Sequence, residues 1–302
     1  MLTRRRFLTV SAAALGASMA HAAEPPFVWQ GIALGARATI RLSHPDAAAI
    51  TARAAAEISR LEGIFSLYRA DSAVMRLNAT GRLDAPPPEL LECLSLAGAV
   101  HGATEGLFDP TIQPLWALWA QRASAGTRPS AAELASARAL GGWGEVRLDA
   151  SEITLAPGMA LTLNGIAQGT IADRIAALLQ AEGLTDILID TGELRALGEQ
   201  PGGGAWPVRL AQGGEVALCA RALATSSPVG TLFDAEGRHG HILHPTTGEP
   251  ALPMWRAISL SAPSAALADA LSTAACLARS RTEIERSLSG FGQVRCEAAI
   301  AA

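Results

Sequence analysis

Helix-period and strand-period segments follow one another in this chain in a mixed rather than alternating order, and that order bounds the fold more than any other feature. Asp46 precedes a run that puts Ile50, Ala54, Ile58, Leu61 and Phe65 on one helical face. A second helix is predicted from Pro88 to Val100, and Ser130 with Glu133 makes a capping box for a third, which stops at Gly141-Gly142. Val146–Leu148 and Ile153–Leu155 read as a hairpin. Leu161–Leu163 reads as a short strand that turns at Asn164-Gly165 into a helix from Ile166 to Glu182. Strand patterns then recur at Ile187–Asp190, Val208–Leu210, Val216–Cys219, His241–Leu243 and Ala257–Ser261. A last long helix begins after Pro263, with Ser264 as N-cap and Leu267, Leu271, Ala274 and Leu277 as its core stripe. This order predicts a single α+β domain with a large mixed or antiparallel sheet and peripheral helices.

Ahead of that domain, Thr3-Arg4-Arg5-Arg6-Phe7-Leu8 is a twin-arginine pattern, followed by an apolar run from Val10 to Met19 and a small-residue cleavage site at Ala20-His21-Ala22. The run is roughly half of the about 20 residues that a membrane-spanning helix needs. Residues 1–22 are therefore expected to be a signal peptide and 23–302 the mature domain, soluble in the periplasm and with no membrane span.

The 302 residues carry a net charge of −4 and no basic stripe, which argues against a nucleic-acid partner. The chain has no lysine at all. That excludes a P-loop, Schiff-base chemistry and a lysine nucleophile. No G-x-G-x-x-G opens a strand–helix unit, so a dinucleotide-binding Rossmann fold has no support. Cys93, Cys219, Cys276 and Cys296 lie far apart without a C-x-x-C, and their spacing does not reveal any pairing.

Four segments carry candidate chemistry. On the last helix, Asp269 and Thr273 stand four apart and Ser272 borders their face. A carboxylate with two hydroxyls suits a hard cation such as Mg²⁺, although an exposed Asp and a Thr bonded to its own helix explain the pattern equally well. Gly165 and Gly169 bracket a strand-to-helix turn suited to a pyrophosphate or to a plain connection. Gly106 to Pro110 fixes Asp109 on a loop, because Pro110 disfavours helix before it. Gly240 to Gly248 offers His241 or His244 as a base near neutral pH, or as a structural histidine.

Taken in order, these segments resemble the ApbE-like FAD:protein FMN transferases. The resemblance is carried by Leu34-Gly35; Phe65-Ser66-Leu67-Tyr68 with Ser72 and Arg76-Leu77-Asn78; Gly106 to Pro110; the Gly165–Gly169 turn; Ala224-Thr225-Ser226; His241 to Gly248; and Ala262-Pro263-Ser264-Ala265 leading into Ala268 to Thr273. It implies an ApbE-like α+β fold over nearly all of the mature chain. It also implies that Leu34 lies against the flavin, that Tyr68 stacks on or covers FAD, and that Leu107, Phe108 and Asp109 line the flavin pocket. Thr162, Gln168 and Leu243 fall at further FAD-binding positions, and His241 at the proton acceptor. The Gly165 carbonyl would join Asp269, Ser272 and Thr273 around Mg²⁺. Thr162 replaces the family's usual Asp and Gln168 its usual Lys or Glu. The implied reaction is Mg²⁺-dependent attachment of FMN from FAD to a Thr or Ser of a periplasmic client flavoprotein, with release of AMP. Water in place of the client hydroxyl would make the chain an FAD pyrophosphatase, and a site without turnover would make it a flavin carrier. The sequence does not identify the client.

Overall fold

The computed structural model describes residues 27–302, apart from 201, 212, 235, 236 and 238. The twin-arginine segment and its cleavage site lie outside the described residues. Along the chain the elements are β1 (Phe27–Ala33), β2 (Ala36–Leu42), α1 (Ala47–Phe65), α2 (Ala73–Thr80), β3 (Arg82–Asp84) and α3 (Pro88–Ala103). There follow α4 (Gln113–Ser124), α5 (Ala131–Arg138), β4 (Arg147–Leu148), β5 (Glu152–Thr154), α6 (Ala167–Ala181), β6 (Ile187–Asp190) and β7 (Leu194–Leu197). The last are β8 (Trp206–Arg209), β9 (Glu215–Leu218), β10 (Ala222–Ser226), β11 (Trp255–Ala262), α7 (Ala265–Ala275), α8 (Arg281–Leu288) and β12 (Arg295–Ala301).

The main sheet has seven strands in the order β1-β2-β6-β7-β10-β11-β12, and every neighbouring pair is antiparallel. Period-2 alternation decides what each face carries. Ile187 and Ile189 of β6, Leu197 of β7, and Ile258 and Leu260 of β11 join the large core shared with α1, α6 and α7. Ala196 and Leu223 point the other way, under Trp206, Val208 and Leu218 of the separate β8–β9 hairpin. The sheet is thus covered on both faces at β7 and β10.

The expected helix and strand patterns reappear within a few residues, with informative exceptions. Leu161–Leu163 is extended but pairs with no strand. The Asn78 side chain supplies the ladder instead: its Nδ2 donates to the Leu161 carbonyl (2.8 Å) and its Oδ1 accepts the Leu161 N–H (2.7 Å). Thr162 N–H donates to the Pro110 carbonyl (2.8 Å). Among the described residues, His241–Leu243 joins no strand and makes one isolated bridge, Leu243 with Pro250. The last helix, α7, has no apolar stripe with an exposed back: it is buried almost all round, between β10 and β11 on one side and α3 and α6 on the other. Helix α4 has Pro114 in its first turn, where the missing N–H costs nothing.

Candidate functional site

Helices α6 and α7 are laid against each other by a stripe of small residues. Gly165, Gly169 and Asp173 recur every four residues at the start of α6, and Ala265, Asp269 and Thr273 do the same on α7. The two stripes run antiparallel. A Cβ on Gly169 would lie 2.3 Å from the Ala265 carbonyl oxygen, and one on Gly165 would lie 3.0 Å from Thr273 Oγ1. Only glycine permits this approach. At the far end, Asp173 caps α7 by accepting the N–H groups of Ala265 (2.9 Å) and Ala266 (3.0 Å) and the Ser264 hydroxyl (2.8 Å). Arg195 of β7 holds Asp173 in turn. In the middle, Gly169 N–H donates to Asp269 Oδ2 (3.2 Å).

A cavity of about 350 Å³ opens over this junction. Of the residues singled out in the sequence, Leu107, Phe108, Asp109, Thr162, Gly165, Gln168, His241, Leu243, Asp269 and Thr273 line it. These positions are spread over more than 160 residues of sequence and meet on one wall. Four candidates are placed elsewhere. Ser272 is fully buried behind the wall: its hydroxyl donates to the Asp269 carbonyl (3.0 Å) and pairs with Ser226 Oγ (2.7 Å). Tyr68 is 77% exposed and outside the wall. Leu34 forms the β1–β2 turn with Gly35, at φ +50° and +83°, and its N–H donates to Glu62 of α1 (2.8 Å). Both therefore sit at the C-terminal end of α1. His244 is also off the wall; its Nδ1 accepts the Thr246 N–H (3.2 Å).

Asp109 is fixed as expected on its loop, where Oδ1 accepts both the N–H (2.8 Å) and the hydroxyl (2.7 Å) of Thr111. The Gly165–Gly169 turn keeps fewer free donors than its sequence suggests. Ile166 and Ala167 N–H groups bond the Leu163 carbonyl and Gly169 bonds Asp269, so among the described residues Gly165 and Gln168 retain unclaimed N–H groups at the cavity. His241 is held through its Nδ1 by the Thr231 backbone, 3.1 Å from the carbonyl and 3.3 Å from the N–H, and Nε2 makes no hydrogen bond among the described residues. Burial pulls this imidazole below its usual range, and the Thr231 bond offsets that only in part.

The wall also carries residues to which the sequence reading assigned no site role. Trp116 backs onto Phe233 with ring centroids 5.5 Å apart. Thr225 and Ser226 end β10, with Thr225 Oγ1 bonded to Ser259 (2.8 Å). Glu193 follows the β6–β7 turn and is only 7% exposed. The usable signal for the α6–α7 junction was the four-residue repeat of Gly165, Gly169 and Asp173, which marks a helix face built for close approach.

The electrostatics are one-sided. Among the described residues, His241 is the basic side chain on the wall and no Arg or Lys lines it. Burial raises Asp269 to about 7 and raises Glu193 well above the usual carboxylate range, with the nearby Asp269 charge adding to the effect on Glu193. Glu193 Oε2 is buried with no hydrogen-bond partner. Among the described residues no cluster of three or more His, Cys, Asp or Glu side chains forms a ready-made metal cage. The donors that do converge (carboxylate, hydroxyl and backbone carbonyl) are all oxygen, which fits a hard cation that keeps several waters. A stability prediction follows. Both acids have folded-state pKa values above their unfolded ones, so their contribution is full in acid and is lost as pH rises, for Asp269 through about 7. Without divalent cations, the melting temperature should fall between about pH 5 and about pH 8. Added Mg²⁺ should reverse the loss, increasingly so at higher pH. Thermal unfolding with and without a chelator reads this directly, and a flat profile would contradict it.

Comparison with known proteins gives a consistent picture. The model of the ApbE family matches residues 34–289. An FAD:protein FMN transferase of Klebsiella pneumoniae is 31% identical over 237 residues, 74% of this chain and 73% of that protein. One from Vibrio cholerae is 28% identical over 223 residues, 69% and 67% of the two chains. Among solved structures, the apo flavinyl transferase ApbE of Pseudomonas stutzeri superposes with a TM-score of 0.79 at 25% identity, covering 92% of this chain and 94% of that one. An ApbE protein of Thermotoga maritima gives 0.75 at 26% identity, covering 83% and 86%.

Proposed function

The chain belongs to the ApbE family, and from that premise we propose that it is an Mg²⁺-dependent FAD:protein FMN transferase acting on a periplasmic client. The observation that carries the reading is the convergence of Asp269, Thr273, Gly165 and His241 on a single cavity from three distant parts of the chain. Mg²⁺ held by Asp269, Thr273 and the Gly165 carbonyl would supply the positive charge that a diphosphate needs and that no Arg or Lys on the wall provides.

The protein's own groups do the remainder. Leu107, Phe108, Trp116, Leu243 and Leu277 give the cavity an apolar side suited to a flavin or adenine ring. The free N–H groups of Gly165 and Gln168 face phosphate oxygens. His241, neutral at pH 7, accepts the proton from a Thr or Ser hydroxyl of the client as that oxygen attacks the FMN phosphorus. The P–O–P bond breaks, AMP leaves, and FMN remains on the client through a phosphoester. Ser272 holds the α7 backbone at Asp269 and is assigned a positioning role.

No described helix is long and apolar enough to cross a membrane. Export by the twin-arginine segment, with cleavage after Ala22, would place the enzyme beside its client. The deciding experiment incubates the mature chain with FAD, Mg²⁺ and a candidate client and reads flavin fluorescence in a denaturing gel. FMN on a client Thr or Ser, with AMP in solution, supports transfer. Free FMN and AMP with an unmodified client support hydrolysis, and intact bound FAD supports a carrier.

A further inference from the structure

Glu193 is a carboxylate on the cavity wall that the reaction as derived leaves unused. Asp109 spends Oδ1 on Thr111 and Asp269 receives Gly169, whereas Glu193 keeps Oε2 buried with no donor. Its placement is enforced from both sides of the β6–β7 turn. Thr191 Oγ1 donates to the Gln168 carbonyl (3.1 Å). Gly192, at φ +99°, lies so close to the Gln168 amide that a Cβ would come within 2.7 Å of its Nε2. The turn is thereby clamped to the first turn of α6, the same turn whose Gly165 and Gly169 meet α7. The Thr225 backbone answers only part of the Glu193 carboxylate, and a buried charged oxygen left without a donor or a cation is disfavoured. Among the described residues, neither an Arg nor a Lys on the wall answers it.

We propose that Glu193 is a direct ligand of the divalent cation held by Asp269, Thr273 and the Gly165 carbonyl. The inference rests on the cation reading above and adds a second carboxylate to it. Two carboxylates balance the charge of one Mg²⁺, so the site is electrically neutral before the FAD diphosphate enters. The extra carboxylate comes from the sheet, whereas the other ligands come from the two helices. One cation would therefore tie β7 to α6 and α7, and its loss would loosen that junction.

The test is Mg²⁺ binding to the FAD-free mature protein by calorimetry, alone and with ADP as an unreactive diphosphate. Glu193→Gln keeps the size and one oxygen but removes the charge. It is expected to raise the Mg²⁺ Kd by roughly 10- to 100-fold, because affinity at such sites follows the ligand charge count. It should also shrink the Mg²⁺-induced rise in melting temperature while leaving the cation-free melting temperature equal to or above that of the native chain. Asp269→Asn is the reference. If Asp269→Asn weakens binding and Glu193→Gln stays within about threefold of the native chain, Glu193 is not a ligand and the inference fails alone. A raised KM for FAD in that case would mark Glu193 as an acceptor for a substrate hydroxyl. If the native chain binds no Mg²⁺ with or without ADP, the cation reading fails and takes this inference with it.

Discussion

Asp269→Asn is expected to lower FMN transfer by about a thousandfold, equivalent to about 4 kcal/mol of transition-state stabilisation. The Asp269 side chain is 3% exposed, on a helix built otherwise of Ala, Leu, Ser and Thr. Among the described residues its carboxylate has one hydrogen-bond partner, the Gly169 N–H, a contact that an Asn amide oxygen reproduces. The substitution therefore leaves packing and hydrogen bonding in place and removes only the charge. Two effects compete in the folded protein. Burial opposes the charge and has already raised this carboxyl to about 7, so the variant should be as stable as the native chain, or more so, when cations are absent. The charge is needed only when the cation and diphosphate arrive. Loss of transfer with no loss of melting temperature separates that role from a structural one. The same pKa makes Mg²⁺ affinity pH-dependent: below about 7 a proton must leave Asp269 before Mg²⁺ binds, so affinity should fall at least about tenfold for each pH unit toward acid, and more steeply where Glu193 must also lose a proton. A variant that keeps transfer within about tenfold of the native rate would remove Asp269 from the cation site.

The fold was legible where periodicity is strong and local. The buried face of α1, the capping box of α5 and the N-cap of α7 all follow from residue types at fixed offsets. What was not legible depends on long-range partners. Leu161–Leu163 has a strand's sequence but finds the Asn78 amide instead of a neighbouring strand, across 83 positions. The all-round burial of α7 reflects what covers it, which its own pattern of small residues leaves open. At the site, the oxygens of α7 could be picked out because four-residue spacing puts them on one face. Glu193 could not, because it lies on a short turn whose significance comes from clamping against α6. The implied contacts of Leu34 and Tyr68 with FAD came from family resemblance. Both residues sit near one end of α1, away from the cavity wall, and a direct measurement of FAD affinity in a Tyr68 variant would show whether bound FAD extends that far.

His241→Ala is expected to lower transfer by roughly 10²–10⁴, the usual contribution of a positioned general base. A lone histidine in a loop is more often structural, so its setting has to decide. The His241 ring lines the cavity that Asp269 and Thr273 also face, and Thr231 fixes it through Nδ1 with Nε2 left to act. Burial lowers its pKa beneath the usual value of about 6.5, and the Thr231 bond restores only part of that. A base must be unprotonated. With Mg²⁺ saturating, so that Asp269 stays ionised, the native rate should therefore rise with pH through that lowered pKa and be level by about pH 7. Cysteine reactivity does not intrude on this limb: Cys276 and Cys93 are buried and their thiols are pushed up out of the neutral range. In the variant the acid limb should vanish along with most of the rate, because the group that titrates has gone. The Mg²⁺-induced rise in melting temperature should be unchanged, since no oxygen donor has been touched. Together these readouts distinguish a base from a scaffold residue. A His241→Ala protein that keeps the acid limb at a reduced rate would show that another group takes the proton, and one that loses the Mg²⁺ response would show that the loop had collapsed.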